Sequence, residues 1–149
     1  VGTHVILTAF KDCLDPSQKA ACGREFSFNA PAANLWTSRE CCDSDFCNRR
    51  DVKVSVPPTD NTPNGYICEG CNSEQFAKPC KATVDVKCTA NQNACGTFYG
   101  TSWRPGEAGV EEYTVKGCVT RDFCKVGIFN FQATQAYDYV LKCSPALKV

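Results

Sequence analysis

Residues 41–48 read CCDSDFCN, a cysteine doublet followed after four residues by Cys-Asn. Adjacent cysteines can hardly bond each other without strain, because a disulfide requires a specific separation and orientation of its two side chains. Each member of the doublet therefore points to a different partner. Cys42 and Cys47 can close a small loop, while Cys41 reaches back along the chain.

The cysteine content of the whole chain indicates where the protein matures. There are 13 cysteines in 149 residues, a density typical of disulfide scaffolds from an oxidising compartment, since the cytosol keeps thiols reduced. We therefore predict a secreted, extracellular protein whose signal peptide has been removed. The odd count leaves one cysteine over, which in a secreted protein indicates pairing with another chain.

Charge and hydropathy exclude several classes of partner. Lys plus Arg and Asp plus Glu both number 16, so the net charge is zero and nothing indicates binding to nucleic acid. No apolar run reaches the ~18 residues of a membrane-spanning helix, which predicts no transmembrane segment.

Apolar and polar residues alternate in several segments, which predicts strands. From residue 129 to 143 the period is two, with a turn expected near residues 134–135 and with Val140 as the one apolar residue on the polar parity. Residues 111–119 repeat the pattern, and residues 4–10, 23–28 and the segment after Cys95 also read as strands. No segment shows a sustained period of 3.6, so the predicted fold class is all-β.

One segment reads as a linker between two modules. Residues 49–65, RRDVKVSVPPTDNTPNG, hold three of the eight prolines, and Asn64-Gly65 is a turn signal. Chains below roughly 70–80 residues rarely build a sufficient core and usually carry disulfides. Two small disulfide-stapled modules therefore fit the sequence better than one large core, with a boundary near residue 60.

The cysteine doublet motif resembles the end of a three-finger domain of the lymphocyte-antigen-6/urokinase-receptor superfamily. PNGYIC (residues 63–68) is similar to the start of a second such domain, and VKGCVTRDFC (residues 115–124) to the junction of its second and third fingers. The chain most resembles two-domain members, the gamma-type phospholipase A(2) inhibitors and the sodefrin-precursor-like pheromone factors. The resemblance implies two three-finger (snake-toxin-like) modules in tandem, the first incomplete at its N-terminal side. Residues 1–56 would be the C-terminal part of the first, 57–65 the linker and 66–149 the second.

The resemblance also implies a disulfide pairing that leaves Cys13 unpaired or bonded to another chain. Its usual partner lies in a part of the first domain that this chain lacks, so a missing N-terminal segment or a separate polypeptide would supply it. The implied pairs are Cys22–Cys41, Cys42–Cys47, Cys68–Cys95, Cys71–Cys80, Cys88–Cys118 and Cys124–Cys143.

The function implied by the resemblance is non-enzymatic. A phospholipase A(2) inhibitor-like or pheromone-like factor would act by protein–protein contact, on a secreted phospholipase or a receptor. Two alternatives stay open: the ectodomain of a lipid-anchored urokinase-receptor-like receptor or adhesion protein, which an apolar tail in the precursor would favour, and a small-ligand carrier with a groove between the modules.

Catalytic and metal chemistry find little support. His4 would have to serve any histidine-dependent mechanism, so we predict no catalytic residue and no enzyme. Cys68-x-x-Cys71, followed by Cys80 and Cys88, would be a zinc candidate in a cytosolic protein. Each of these cysteines has a disulfide partner under the resemblance, so we predict no metal and no cofactor.

The best candidate for partner binding is the tip of the hairpin between Cys95 and Cys118. Trp103, Arg104 and Glu107 surround its Pro-Gly turn, and exposed Trp and Arg are the residue types that dominate binding at interfaces. The alternative is that Trp103 folds back onto the sheet and Arg104 is merely solvated.

Overall fold

The computed structural model describes residues 7, 9, 11–31, 33–53, 60–72, 80, 83–103, 111–126 and 135–149. Within them, one short helix, α1 (Phe123–Val126), and two 3-10 turns (Pro16–Ala21 and Cys47–Arg49) accompany the strands. None of the described helices is long and apolar enough to span a membrane. The strands are β1 (Glu25–Ala30), β2 (Ala33–Ser38), β3 (Pro63–Asn72), β4 (Val84–Thr89), β5 (Gln92–Trp103), β6 (Glu111–Thr120), β7 (Gln135–Pro145) and β8 (Leu147–Lys148).

The strands form an antiparallel network in which β6 has a central place. In the order β2-β1-β6-β3-β4, each strand pairs with its neighbours, so both β1 and β3 pair with β6. In addition, β5 pairs with β6 and with β7. In the second half the chain therefore forms two hairpins, β3–β4 and β5–β6, and then a third strand, β7. The all-β, disulfide-rich three-finger class predicted from the sequence is confirmed.

Most of the predicted strands that fall in the described residues are present with shifted ends. The alternation over residues 111–119 is β6, and the strand expected from residue 23 begins two residues later, after the left-handed Gly23 (φ +72). Residues 129–134, including the start of the expected turn, lie outside the described residues. The expected strand over residues 4–10 does too, except for Leu7 and Ala9, which are not in a strand.

The Asn-Gly pair near the predicted boundary lies inside β3. Gly65 takes a φ of +87, which glycine adopts without strain, and the pairing of β3 with β4 shifts register between Pro63 and Ile67. Asn64 donates from Nδ2 to the carbonyl oxygens of Ala90 (2.9 Å) and Gln92 (2.7 Å). The pair therefore fastens the start of β3 to the turn between β4 and β5.

The larger of two hydrophobic clusters among the described residues contains residues from both halves of the chain. Phe28 of β1 is fully buried, and its ring packs edge-on against that of Phe123 with 5.6 Å between the centroids. Disulfides stay within each half, whereas the sheet and this core cross the expected boundary. The division into modules 1–56 and 66–149 stays a prediction. The core residues are Ala21, Phe26, Phe28, Ala30, Ala94, Phe98, Val115, Val119 and Phe123.

A glycine allows the two halves to approach so closely. β1 pairs with β6 through Phe28 opposite Val119 and Asn29 opposite Cys118. A β-carbon on the neighbouring Gly117 would collide with the carbonyl oxygen of Asn29. Glycine inside a strand commonly marks such an approach of two backbones.

A buried polar network also joins the halves. Gln92 Nε2 donates to Ser27 Oγ at 2.9 Å, and the Ser27 amide donates to Thr120 Oγ1 at 3.0 Å. Gln92 Oε1 accepts from the Thr89 amide at 3.1 Å. Because all four residues are buried, removing one side chain of this network would leave its partner buried without a hydrogen bond, at a cost of roughly 1–3 kcal/mol.

Six disulfides hold the strands, and they are the pairs that the resemblance implies. Cys13 is an exposed free thiol. The pairs are Cys22–Cys41, Cys42–Cys47, Cys68–Cys95, Cys71–Cys80, Cys88–Cys118 and Cys124–Cys143.

Candidate protein-binding face

Strand alternation gives the three-stranded sheet β7–β5–β6 two different sides. Gly96, Phe98 and Gly100 of β5 are buried and face the shared core, whereas Tyr99 between them is exposed. The same alternation places Val115 and Val119 of β6 on the core side. On the opposite side, Cys95 and Cys118 belong to a second, disulfide-rich cluster, and we call the rest of that side the open face. Within it Thr114 of β6 is buried, whereas Tyr99 and Val140 are exposed.

Cross-strand register arranges the open face in three rows. The row nearest the disulfides has two lysines, the middle row is largely apolar, and the row nearest the β5–β6 tip has two acidic residues. Each row has its central member on β5. The rows are Lys142–Thr97–Lys116, Val140–Tyr99–Thr114 and Asp138–Thr101–Glu112.

The middle row exposes apolar surface that the fold does not need. Tyr99 is 45% exposed and Val140, its direct neighbour on β7, is 49% exposed. Tyrosine offers a large, rigid contact area with a hydroxyl that can find a partner, and it is enriched among residues that dominate binding energy. The pair is therefore a candidate anchor for a protein partner.

The charged rows differ in how far their charges are already compensated. Lys116 Nζ lies 3.3 Å from Glu69 Oε1 on β3, which forms an ion pair. Lys142 is exposed, and no ion pair involves it among the described residues. Glu112 is half-buried. The basic end of the open face is therefore presented to a partner mainly by Lys142.

Disulfides fix the base of the strands that carry this face. The Cys68–Cys95 and Cys88–Cys118 bridges lie against each other, with 3.7 Å between the Sγ atoms of Cys68 and Cys88. A surface held in this way loses little conformational entropy on binding.

The Sγ atoms of Cys68, Cys88 and Cys118 lie within 4.8 Å of one another. Each is in a disulfide, so none is a thiolate available to zinc.

The structure describes only part of the partner-binding site that the sequence predicts at the β5–β6 tip. Trp103 is the last residue of β5, and its backbone pairs with that of Gln135. The side chain of Trp103, together with Arg104 and Glu107, lies outside the described residues. The same holds for His4, so the structure does not test its role.

The sequence pattern alone does not single out Tyr99 and Val140, although both leave a signal in it. Val140 is the exception to the alternation of residues 129–143, an apolar residue on the polar parity. Tyr99 follows Phe98, so one of the two aromatic rings had to face away from the core. Two such exceptions on adjacent strands predict an exposed apolar pair, provided the strand pairing is known.

A shallow cleft lies between the two halves, where a carrier would need its groove. Its volume is about 260 Å³. Asp122, at its edge, accepts a hydrogen bond from Arg24 Nη2 at 2.9 Å and lies 3.3 Å from Lys125 Nζ. The hydrogen bond from Arg24, assisted by Lys125, holds the pKa of Asp122 below its usual range. The residues that line the cleft are Ser17, Gln18, Ala20, Ala21, Arg24, Asp122 and Lys125.

Comparison with known proteins finds distant relatives. The chain is 28% identical over 114 residues to a phospholipase A2 inhibitor gamma subunit from Elaphe climacophora, and equally to the protein of that name from Elaphe quadrivirgata. The aligned segment covers 76% of this chain and 54% of each relative. The chain therefore spans about half the length of the curated relatives it matches. No family model matches it.

Proposed function

We propose that the protein is a secreted, non-enzymatic binding protein that inhibits a phospholipase A2 by stoichiometric contact. The observation that carries this proposal is the similarity, over three quarters of the chain, to proteins named as inhibitors of that enzyme. Six disulfides support maturation in an oxidising compartment. An exposed Tyr99–Val140 pair on a braced sheet supports action by surface contact.

The binding surface in this proposal is the open face together with the tip of the β5–β6 hairpin. Thr97, Tyr99 and Trp103 are all at odd positions of β5, so the strand leads from the middle of the open face to the tip. Arg104 and Glu107 follow in the tip itself. An aromatic centre flanked by an Arg matches the composition of strong interface sites.

Inhibition then needs no chemistry from the inhibitor. A phospholipase A2 acts on aggregated lipid, so a protein bound over its lipid-facing surface prevents access to substrate. The inhibitor is not consumed, and the extent of inhibition depends only on the bound fraction.

The test is a titration of a secreted phospholipase A2 with the protein, with hydrolysis of mixed micelles as the readout. We expect inhibition to saturate at a fixed molar ratio. Tyr99→Ala should weaken binding by about 30-fold, the ~2 kcal/mol of an interface anchor. Val84→Ala, which truncates an exposed residue of β4, is the matched control and should bind normally.

Absence of both binding and inhibition across a panel of secreted phospholipases would overturn the proposal. The pheromone-like, receptor and small-ligand carrier functions would then take its place. If Tyr99→Ala inhibits normally, the proposed inhibition stands, but the open face is not the surface that binds the enzyme.

We also propose that Cys13 is bonded in the native protein to a segment that completes the first module. Cys13 is exposed and free in this chain, and the relatives are about twice as long as the part matched here. In protein isolated from its source, Cys13 should resist a thiol-alkylating reagent until reduction. Mass spectrometry that finds Cys13 alkylated in the unreduced protein would contradict this.

A further inference from the structure

Asn64-Gly65, at the start of β3, is the only Asn-Gly pair in the sequence. An asparagine followed by glycine is especially prone to deamidation, because glycine has no β-carbon to hinder attack by its main-chain nitrogen on the asparagine side chain. The proposed inhibition makes no use of this reactivity. The fold around the pair therefore raises a separate question, which is whether the reaction can occur in the native protein.

The reaction needs no reagent other than water. The Gly65 nitrogen attacks Cγ of Asn64, a C–N bond closes a succinimide ring, and the side-chain nitrogen leaves as ammonia with the proton that the Gly65 nitrogen gives up. Water then opens the ring at one of its two carbonyl carbons and leaves aspartate or isoaspartate at position 64. The attack requires the Asn64 side chain to turn toward the Gly65 nitrogen.

Three hydrogen bonds hold the Asn64 side chain in place. Nδ2 donates to the carbonyl oxygens of Ala90 and Gln92, at 2.9 and 2.7 Å. Oδ1 accepts from the Tyr66 amide at 3.1 Å. Both donor protons of the side-chain amide and its oxygen are therefore engaged, and the side chain cannot turn toward the Gly65 nitrogen without breaking these bonds.

The product of the reaction cannot restore this clamp. An ionised carboxylate only accepts hydrogen bonds, so the oxygen that replaces Nδ2 would repel the carbonyl oxygens of Ala90 and Gln92. Ala90 has a φ of +48, which is uncommon for a residue other than glycine, and Asn64 helps to hold it there. Gln92 donates to Ser27 of the other half, so a change at this turn reaches the contact between the halves.

We propose that Asn64 is a deamidation site controlled by the fold. The closed start of β3 keeps the side-chain amide inert, opening of that segment allows the reaction, and the new carboxylate prevents the segment from closing again. On the other edge of β3, the carbonyl oxygen of Gly65 accepts from the Val149 amide at 2.9 Å. That support comes from β8, a strand of only two residues, so the segment can open locally while the disulfide-linked strands stay folded.

The test compares the rate of deamidation at position 64 in the native protein and in the same chain after reduction and alkylation in denaturant. Peptide mapping by mass spectrometry measures aspartate and isoaspartate at that position. We expect the native protein to react about 100-fold more slowly, which corresponds to the ~3 kcal/mol of three net hydrogen bonds. Equal rates in the two states would overturn the control by the fold.

A pair of variants at Val149 tests whether β8 limits the opening. Val149→Pro removes the amide that donates to Gly65 and should accelerate deamidation of the folded protein by about fivefold, the effect of one net hydrogen bond. Val149→Ala keeps this amide and is the matched control, which should react at the wild-type rate. If both variants react at that rate, the opening does not pass through β8, and that part of the proposal is wrong.

A second pair of variants tests the lasting effect of the reaction. Asn64→Asp introduces the carboxylate directly and should lower the melting temperature by several degrees. Asn61→Asp makes the same change at an exposed position nearby and should leave the melting temperature unchanged. Equal melting temperatures would overturn the claim that the carboxylate keeps the segment open. None of these measurements involves a phospholipase, so the proposed inhibition is judged independently of them.

Discussion

Replacing Phe28 by alanine is expected to lower the free energy of unfolding by about 3–5 kcal/mol. The side chain is fully buried, its ring meets that of Phe123, and it closes over Gly96 of β5. Truncation leaves a cavity between strands that are tied by disulfides and cannot easily collapse. Because Phe28 belongs to the first half and its neighbours to the second, the loss should weaken both halves together.

Denaturant unfolding without reductant measures this effect. Phe46→Ala is the matched control, since Phe46 is 72% exposed and its ring lies under the Arg49 guanidinium at 4.6 Å. It should change stability by less than about 1 kcal/mol. Tryptophan fluorescence, which reports on Trp36 in β2 and Trp103 in β5, should show one transition. Two separate transitions, with only one shifted by Phe28→Ala, would contradict a shared core.

The second large effect is expected from removal of the Cys88–Cys118 disulfide by paired alanines. This bridge spans 30 residues and is completely buried, whereas Cys42–Cys47 spans 5 and lies near the surface. The chain-entropy relation gives about 3.7 kcal/mol for the long loop and about 2.2 kcal/mol for the short one. Removal of the buried bridge should also eliminate the packing of its sulfur atoms against Cys68 and Val86.

Calorimetric melting of the two double variants provides the comparison. We expect the chain without Cys88–Cys118 to have the lower melting temperature by several degrees. Each variant keeps the other five bridges, which peptide mapping under non-reducing conditions should verify. Equal melting temperatures of the two variants would contradict this, because they would show that loop length and burial do not affect how much a bridge stabilises the fold.

Much of the fold could be predicted because its determinants are local. The doublet Cys41-Cys42 and the spacing to Cys47 indicate the class of scaffold, and alternation over residues 111–119 indicates a strand. Both are read within ten residues of sequence. The helical turns, Pro16–Ala21 and Phe123–Val126, are too short to leave a periodic pattern.

The contact between the halves could not be predicted from local pattern. It depends on β1 reaching β6, some 90 residues later, and on Gly117 leaving room for the Asn29 carbonyl. A glycine inside a strand pattern indicates a close approach but does not identify the other backbone. The same holds for Gln92, whose buried amide bonds to Ser27 in the other half.

The sequence predicts one part of the candidate site and does not identify the other. It favours the tip of the hairpin between Cys95 and Cys118, which stays a prediction, and it does not point to the open face. Tyr99 and Val140 become neighbours only when β5 pairs with β7. That pairing joins segments about 40 residues apart, which alternation alone does not specify.

The most direct test of the central claim, that the open face binds the partner, is an NMR titration of the labelled protein with a secreted phospholipase A2. The account predicts that the largest shift changes or line broadening fall on the Val140 methyl groups, the Tyr99 ring and the Thr97 and Thr101 methyl groups. The methyl groups of Val84 and Leu147 should change little. Perturbation confined to Val84, Leu147 or the β1–β2 hairpin, with Tyr99 and Val140 unchanged at saturation, would contradict it.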